Sequence, residues 1–536
     1  MVINKGGIVA TSHHLASSAG AQILARGGSA ADAAIAANAV LGVTEPMMCG
    51  IGGDVFVLYW EAKTGKLWGL NGSGWSPQLL TPEFLAAARQ KDKKEDDEQD
   101  LKKMPSRGIH SATVPGAVGG WAAVHERFGK LPWKDLFSAS IHHAEQGFPV
   151  TEIIAASWEG GILDVDPAST PVFRPNGQAP RTGDVFNNPG LARAMRLIAD
   201  DGPSAFYQGK IAQAILETSK RLGGSFAAED LSQWKPEWVE PIYTKYRDWS
   251  ISELPPNGQG MAALMMLNIM EQTEPSPFGP NSVPELHNRI EAMKLAYADI
   301  YAYIADPKFE GVPVKGMLAK RYGKKRAKLI DPNKAACPVE AGKPETKDTT
   351  YLAVVDSEGN IASWIQSVSG AWGSGVVVDG MGFHLQNRGG GFSLDPEHPN
   401  RLEPRKRPFH TIIPGFMRKG DRAIGFGIMN GSNQPQAHAQ FVGNVADYEM
   451  NLQEALEAPR MRVTSPSACE VSVESRIPQD SLVKLDAMGH RLRLRGAHST
   501  HMGRGNAVMH DSATGVNFAS SDSRADGSAI PEPLQP

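Results

Sequence analysis

The spacing of apolar residues predicts two helices near the start of the chain. Residues 15 to 26 are rich in alanine and end at Gly27-Gly28, where glycine relieves the left-handed backbone that commonly closes a helix. Ser29 is a good N-cap residue for a second helix, from Ala30 to about Val43. This second helix is so rich in small residues that its neighbours can approach closely, which predicts burial on more than one side.

Two later segments also have helical character. Between Val283 and Ile304 the apolar residues recur at steps of three and four, which is the periodicity of an amphipathic helix. Six of the nine residues from Lys320 to Lys328 are basic, and this favours an exposed helix face over an anion-binding site. Residues 331 to 348, with three prolines and little periodicity, are typical of an exposed connector.

Alternating polar and apolar positions predict two β-hairpins. The first joins residues 56–60 to 66–70, and the second joins 349–355 to 361–368. Glycines then crowd between residues 370 and 391, where the backbone must turn tightly or approach another group closely. A helix-rich first half and a strand-rich second half indicate layered α+β packing.

Composition narrows the classes of function. With 41% hydrophobic and 21% charged residues, the chain has the composition of a folded globular protein. Its 54 basic and 58 acidic residues give a net charge of −4, which argues against nucleic acid as a partner. No apolar run is long enough to span a membrane and no signal-like segment is seen, so we expect a cytoplasmic protein. Cys49, Cys337 and Cys469 show no C-x-x-C spacing, which favours a reducing compartment or incidental thiols.

The common catalytic signatures are absent. The chain contains no H-E-x-x-H, no P-loop and no G-x-S-x-G motif. Gly50-Ile-Gly-Gly-Asp54 precedes a strand rather than following one, which favours a tight turn over a dinucleotide-binding loop. The pairs His13-His14 and His142-His143 lack the i, i+4 spacing of helical metal ligands. We therefore expect neither a metal nor a cofactor.

Short motifs occur in a definite order along nearly the whole chain. Those of the first half are Ala10-Thr-Ser-His-His-Leu-Ala-Ser17, Gly27-Gly28-Ser29-Ala-Ala-Asp-Ala-Ala34, Gly50-Ile-Gly-Gly-Asp54, Thr113-Val-Pro-Gly116, Pro255-Pro256 with Gly258 to Gly260, and Ala296-Tyr-Ala-Asp299. Those of the second half are Thr349-Thr350, Val354-Val-Asp356, Gly359-Asn360, Lys406-Arg-Pro408, Ala458-Pro-Arg460 and Ser521-Asp-Ser-Arg-Ala-Asp-Gly527. With this ordered set the chain resembles the gamma-glutamyltranspeptidase family of N-terminal nucleophile hydrolases. The resemblance implies a four-layer αββα sandwich.

The resemblance also implies that the precursor cleaves itself between Asp348 and Thr349. A large subunit, residues 1–348, and a small subunit, residues 349–536, would then stay associated as one intertwined domain, with a dimer of these heterodimers left open. Cleavage exposes the α-amine of Thr349, whose reference pKa of about 7.7 to 8.0 suits a general base for the adjacent hydroxyl. One residue thereby supplies both nucleophile and base, and an acyl-enzyme forms on Thr349.

Further catalytic roles are carried over by position. Thr350 corresponds to the family's second threonine, and Ser367 to a hydroxyl residue that supports the nucleophile. Asn430 and Gly431 correspond to a glycine pair whose backbone N–H groups form the oxyanion hole. Because Asn430 replaces a glycine, its φ must suit a residue that carries a Cβ.

The chain departs from the family in the acyl-binding residues. The segment 71–76 lacks the family's arginine, and Gly391 stands where an aspartate would hold the substrate ammonium. Arg388 enters nearby, where its planar guanidinium can bind a carboxylate bidentately or pair with a neighbouring acid. The remaining substrate-binding candidates are Asn387, Ser369, His410 and Thr411. The short segment between Phe392 and Arg405 matches family members that lack a lid, so an open site is expected.

These observations leave three hypotheses. The first is a self-processing amidohydrolase that cleaves, and can transfer, a γ-glutamyl or similar carboxylate-bearing acyl group, with glutathione-like amides as leading substrates. The second is an acylase for glutaryl or cephalosporin-type amides, favoured by the missing aspartate because a glutaryl group has no α-amine. The third is a non-catalytic relative that acts as a binding protein. The expected partner is a small amide, with no nucleic acid and no membrane.

Overall fold

The computed structural model describes residues 1–92, 102–159, 165–339, 350–464 and 470–534. The α-helices of these ranges are α1 (His14–Ala25), α2 (Ala30–Thr44), α3 (Pro82–Asp92), α4 (Ala117–Phe128), α5 (Ser138–Gln146), α6 (Glu152–Glu159), α7 (Ser169–Phe173), α8 (Pro189–Asp201), α9 (Ser204–Tyr207), α10 (Lys210–Arg221), α11 (Ala228–Ser232), α12 (Gly260–Met270), α13 (Val283–Tyr303), α14 (Val314–Met317), α15 (Lys320–Ala327), α16 (Asn433–Tyr448), α17 (Leu452–Glu457) and α18 (Gln479–Ala487).

The strands of the same ranges are β1 (Val2–Asn4), β2 (Ile8–Thr11), β3 (Asp54–Glu61), β4 (Lys66–Gly72), β5 (Phe148–Pro149), β6 (Val185–Phe186), β7 (Glu237–Val239), β8 (Ile242–Tyr246), β9 (Trp249–Glu253), β10 (Thr350–Val355), β11 (Ile361–Ser367), β12 (Gly415–Lys419), β13 (Arg422–Ile428), β14 (Met461–Val463), β15 (Glu470–Glu474), β16 (Arg491–Arg495), β17 (Gly505–Asp511), β18 (Val516–Ser521) and β19 (Ser528–Pro531).

Two seven-stranded sheets form the centre of the molecule. One has the order β1-β18-β17-β13-β12-β9-β8, and the other has the order β19-β2-β10-β11-β3-β4-β7. Both sheets combine strands from before residue 340 with strands from after residue 349. In the second sheet β10 lies between β2 and β11 and is antiparallel to both, with Leu352 opposite Thr11 and Thr350 opposite Gln366.

Three apolar cores separate four layers. The middle core lies between the two sheets and includes Phe56, Tyr351 and Phe416. An outer core joins α1, α2 and α4 to the second sheet. The other outer core joins α12, α13 and α16 to the first sheet. This arrangement confirms the predicted four-layer αββα sandwich.

Most of the local predictions are confirmed where the structure describes them. Ser29 caps α2, in a capping box with Asp32, and every residue of α2 is buried, as its small side chains allow. The first hairpin is β3 and β4, and the second is β10 and β11. The helix predicted between Val283 and Ile304 is α13, but it has no broad exposed polar face, because 16 of its 21 residues are buried, including the charged Arg289 and Lys294. The basic segment is the largely exposed α15. Thr349, predicted to open the second hairpin, lies outside the described residues.

Two expectations need correction. The first half of the chain is not only helix-rich, because it supplies β1 to β9 and thus about half of the strands in the described ranges. Cys337 is not an incidental thiol, because it is disulfide-bonded, whereas Cys49 is free and buried. Within the described ranges, no helix combines the length and the apolar character needed to cross a membrane.

Candidate active site

Three neighbouring strand ends bring polar side chains into one row. Thr350 begins β10 and pairs with Gln366, while Ser367 ends β11 and pairs with Asp54 at the start of β3. Neighbouring strands are about 4.8 Å apart, so these ends form a compact cluster. All of these side chains are fully buried. Thr349 directly precedes Thr350 in the sequence and lies outside the described residues.

The Thr350 hydroxyl is held by groups from the first part of the chain. It donates a hydrogen bond to a carboxylate oxygen of Glu45, at the C-terminal end of α2. Its oxygen also lies 3.4 Å from the Ser12 hydroxyl oxygen. These contacts join residues more than 300 positions apart, and the sequence contains no local signal for them.

The loop after β11 turns sharply beside this cluster. Ser369 has a φ of +82° and donates its backbone N–H to the Ser367 hydroxyl oxygen at 2.7 Å. The Ser369 hydroxyl is itself buried and makes no hydrogen bond. Asn387 fastens the loop, because its side-chain oxygen accepts the Gly370 N–H at 2.8 Å and its amide nitrogen donates to the Ser106 carbonyl. Of the two predicted binding residues here, Ser369 and Asn387, Ser369 is the one whose side chain can still form a hydrogen bond with a ligand.

Arg388 is a buried guanidinium with unused donors. Its Nη1 donates to the Thr411 hydroxyl, while its Nε and Nη2 have no hydrogen-bond partner although both are buried. No salt bridge within 4.0 Å joins Arg388 to an acid among the described residues, but the carboxylate of Asp54 lies close enough for its charge to act on the guanidinium. Burial lowers the pKa of Arg388 to about 10, with the charge of Asp54 opposing the shift, so the guanidinium stays charged at neutral pH.

Asp54 lies beside this guanidinium as a buried carboxylate. One oxygen accepts the backbone N–H groups of Gly74 and Gly116, each at 3.1 Å, and the other lies 3.0 Å from His410 Nε2. Burial raises the pKa of Asp54 to about 7, against the attraction of Arg388. Both of its oxygens are thus occupied by groups of the protein.

His410 forms part of the same cluster. Its ring stacks on Phe56 with the ring centroids 4.6 Å apart. Burial, together with the charges of Arg388 and Arg407, holds the pKa of His410 well below its ordinary value. The imidazole is therefore neutral. Because its Nδ1 accepts the Ile412 N–H at 3.4 Å, we assign the proton to Nε2, which then donates to Asp54.

Asn430 and Gly431 form a turn between β13 and α16. Both have positive φ, +98° and +50°, and the Asn430 side chain is anchored by donating to the His501 carbonyl at 2.9 Å. Neither backbone N–H donates to another atom of the described residues. The turn also precedes the N-terminus of α16, whose dipole adds positive potential. Two free N–H groups at this position suit an oxyanion.

Gln259 connects this turn to the residues around Arg388. Its side-chain amide donates to the Gly431 carbonyl at 2.8 Å and also to the Thr411 carbonyl. The hydroxyl oxygen of Thr411 in turn accepts a hydrogen bond from Nη1 of Arg388. The Gln259 side chain thus fixes the two free N–H groups relative to the partly unpaired guanidinium, although the sequence pattern indicated Gln259 only as the residue between two glycines of a motif.

Gly391 ends a short 3₁₀ turn that starts at Arg388, and it is exposed. A Cβ built there would have the Phe409 carbonyl as its nearest neighbour, at an ordinary contact distance of 3.5 Å. Position 391 therefore has room for a side chain, but glycine supplies no carboxylate there.

One group of three potential metal ligands occurs in the described residues, away from this site. His287, Glu291 and His490 are buried together. The Lys294 ammonium, however, is 2.7 Å from the Glu291 carboxylate. The charge of Glu291 is thus already balanced by a cation of the protein, and this cluster adds nothing to the candidate active site.

Comparison with known proteins identifies the family. The model of the family "Gamma-glutamyltranspeptidase" matches residues 16–532. The chain belongs to the gamma-glutamyltranspeptidase family. It is therefore a hydrolase of the N-terminal nucleophile type.

Individual relatives of this family carry different names. The chain is 36% identical to the glutathione hydrolase-like YwrD proenzyme of Bacillus subtilis (strain 168), over 99% of both chains. It is 33% identical to the acylase ACY 1 proenzyme of Pseudomonas sp. (strain SE83), over 91% of this chain and 87% of that one. The solved structure of cephalosporin acylase from Bacillus halodurans is similar with a TM-score of 0.92 and 41% identity, covering 100% of this chain and 97% of that one.

Three residues of the site were not predicted as such. Asp54 was interpreted as part of a turn, and the turn is present, since the Gly53 N–H bonds to the Gly50 carbonyl at 2.9 Å. The available signal was a carboxylate placed directly before a buried strand. Glu45 and Gln259 carried no such signal, because their importance arises from contacts distant in sequence.

The raised pKa of Asp54 predicts a pH-dependent stability. The folded protein binds this proton more tightly than the unfolded chain does between about pH 4 and pH 7, so Asp54 reduces the free energy of unfolding as the pH rises through that range. Asp54→Asn keeps an acceptor for the two N–H groups and removes the titration. We expect the difference in thermal midpoint, Asp54→Asn minus wild type, to become more positive from pH 4.5 to pH 7.5.

The matched control is Asp200→Asn, the same substitution at an exposed position of α8. Its midpoint should keep a constant offset from wild type at both pH values. A constant offset for Asp54→Asn as well would contradict the assignment of a raised pKa to Asp54.

Proposed function

We propose that this protein is a self-processing hydrolase of amides whose acyl group ends in a carboxylate. The observation that carries the proposal is the buried Arg388 with two unpaired guanidinium nitrogens. Leaving such donors without partners costs free energy, so a site that keeps them is suited to a ligand that supplies acceptors. A carboxylate matches the fork of a guanidinium in geometry and in charge.

The proposed reaction begins at Thr349. Its hydroxyl attacks the substrate carbonyl while its α-amine, released by self-cleavage, accepts the proton. The backbone N–H groups of Asn430 and Gly431 bind the oxyanion, and the amine of the substrate leaves. Water then hydrolyses the ester, or a second amine accepts the acyl group. The bridge through Gln259 supports this proposal, because it holds the oxyanion turn in register with Arg388.

Glutaryl-type amides are the substrates that the geometry favours. The described residues around Arg388 offer no free anion for a substrate ammonium, because Asp54 is saturated and position 391 is glycine. A γ-glutamyl group would leave its α-amine without a partner, whereas a glutaryl group has none. The acylase names among the relatives agree with this preference.

Amides of γ-glutamyl groups are the second candidate. They carry the same terminal carboxylate for Arg388, and the glutathione hydrolase-like relative favours them. Comparing the values of kcat/KM on glutaryl and γ-glutamyl anilides distinguishes the two.

Purified wild-type protein should consist of two chains. Cleavage before Thr349 leaves residues 349–536, which are 188 residues or about a third of the 57.6 kDa chain, so a fragment of roughly 20 kDa is expected beside one of roughly 37 kDa. Thr349→Ala should abolish both cleavage and turnover because it lacks the hydroxyl. Intact mass and N-terminal sequencing measure this directly.

The small fragment of the wild type should begin Thr349-Thr350-Tyr351. A wild-type chain that remains at 57.6 kDa after incubation would favour the non-catalytic binding protein. A Thr349→Ala protein that is cleaved and active would refute the nucleophile.

Loss of the guanidinium should affect only carboxylate-bearing substrates. Arg388→Gln is expected to lower kcat/KM for a glutaryl anilide by about 100-fold, because a charge-assisted bidentate contact contributes up to about 3 kcal/mol. The butyryl anilide, which has the same chain without the carboxylate, serves as the matched substrate. An equal loss on both anilides would show that Arg388 supports the fold rather than the acyl group.

Restoring an acid at the open position should shift specificity. Gly391→Asp places a carboxylate where the structure has room, and we expect it to raise kcat/KM for γ-glutamyl relative to glutaryl anilide by about tenfold, the effect of one charged hydrogen bond of about 1.5 kcal/mol. Gly391→Asn, of equal size but neutral, is the control. An unchanged ratio would show that position 391 does not reach the acyl α-carbon.

A further inference from the structure

Arg504 is a second buried guanidinium near the candidate active site. Its Nη1 is buried without a partner, and its side chain forms no hydrogen bond or salt bridge with another described residue. A guanidinium stays charged at neutral pH, and a buried charge without a partner costs free energy. Like Arg388, Arg504 is therefore suited to a ligand that supplies acceptors.

The backbone places Arg504 beside the turn between β13 and α16. The Arg504 carbonyl accepts the N–H of Met429 at 3.0 Å, next to the first residue of the turn, Asn430. The side-chain amide of Asn430 donates to the carbonyl of His501 at 2.9 Å, in the same loop as Arg504. Two hydrogen bonds thus fasten this loop to the turn that we propose to bind the oxyanion.

The side chain of Arg504 is directed toward the start of β10. Arg504 directly precedes β17, in which side chains two residues apart share a face. Asn506, two residues further on, donates its side-chain amide to the Tyr351 carbonyl at 3.0 Å. The charge of Arg504 adds to the burial that lowers the pKa of His13 to about 3, and it opposes the burial that raises the pKa of the Cys49 thiol.

Arg388 and Arg504 are connected to opposite flanks of the same turn. Gln259 bridges the Gly431 carbonyl to Thr411, the residue that accepts a hydrogen bond from Arg388. Arg504 contacts the turn from its other end, through the residue before Asn430. The two free N–H groups of the turn therefore lie between the two guanidinium groups.

The order of the strands gives the same division. β10 begins at Thr350 and lies between β2 and β11. His13, which the charge of Arg504 reaches, follows β2, whereas Asp54, which the charge of Arg388 reaches, begins β3 beyond β11. Three strand spacings, roughly 14 Å, separate β2 from β3. The two guanidinium groups thus approach the start of β10 from opposite sides.

We propose that Arg504 binds a carboxylate on the amine part of the substrate. The proposal rests on the proposed function, in which the carbonyl oxygen lies in the turn and Arg388 binds the acyl carboxylate. The acyl and amine parts of an amide extend in opposite directions from the carbonyl carbon, so each part meets one guanidinium. The preferred substrate class is therefore an amide between a dicarboxylate acyl group and an amine that carries its own carboxylate, of which an amino acid is the simplest.

Two amides that differ only in the amine part test this assignment. N-glutaryl-alanine carries a carboxylate there, and N-glutaryl-alaninamide carries a neutral carboxamide of equal size. Arg504→Gln should lower the ratio of their kcat/KM values, alanine over alaninamide, by at least about tenfold, the effect of one hydrogen bond to a charged group. Chromatography of the released amine measures both rates.

Two further variants show whether the effect belongs to Arg504. Arg388→Gln should lower kcat/KM on both amides alike and keep their ratio within about twofold of wild type, because both carry the glutaryl carboxylate. Arg289→Gln is the matched control, since Arg289 is also a buried arginine with one unpaired nitrogen, but it is paired with Glu285 in α13. Its ratio should equal that of the wild type.

Thermal unfolding separates misfolding from lost binding. Arg504→Gln removes a buried charge without a partner, so its midpoint should be no lower than that of the wild type. If it does not fold, Arg504→Lys, which keeps the charge but not the fork, should lower the ratio by at least about threefold. A ratio equal to that of the wild type would overturn the proposal, and so would equal losses on both amides, which would show that Arg504 balances charge within the fold.

Failure of the proposed function has a different appearance, namely a wild-type protein that hydrolyses neither amide. In that case calorimetry tests Arg504 by itself. N-glutaryl-alanine should bind the wild type at least about tenfold more tightly than it binds Arg504→Gln, and equal affinities would overturn the assignment.

Discussion

The position of β10 between β2 and β11 is the constraint on which the site depends. Hydrogen bonds on both sides of β10 leave its first residue no freedom to slip, since a shift of one residue would turn every side chain to the opposite face. Thr350 is thereby held against Glu45 and beside the ends of β11 and β3. Because β2 and β3 precede the expected cleavage point and β10 and β11 follow it, the same pairing would hold two separate chains together.

Buried polar atoms without partners mark where this fold gives up stability. The guanidinium of Arg388, the second oxygen of Glu45 and the hydroxyl of Ser369 are all buried and incompletely bonded. Such groups are expensive in a protein interior and persist where chemistry or binding requires them. Other buried polar atoms without partners occur elsewhere in the described residues, and these three groups belong to the residues of the candidate active site.

Local patterns predicted the elements well but not their assembly. The capped α2 and the two hairpins follow from spacing and turn residues within about 30 positions. The pairing of β10 with β2 joins residues some 340 positions apart, and it became predictable only as the fold implied by the family resemblance. The same distance hides Glu45, which reads locally as the end of a helix, and Asp54, which reads as the end of a turn. Arg388 and Gly391 were recognisable because they depart from a motif.

The start of β10 and the proposed acyl-binding residues are separate parts of the candidate active site. Thr350, at the strand start, contacts Glu45, whereas Arg388 and the open position 391 belong to the acyl-binding region that we propose. A substitution in the second set leaves the strand register and the first contact in place. A family that shares one fold and one proenzyme character can therefore include members named for glutathione hydrolysis and members named for acylase activity. In the proposed scheme the fold itself creates the nucleophile, so substrate preference can change while the strand pairing that produces the nucleophile stays the same.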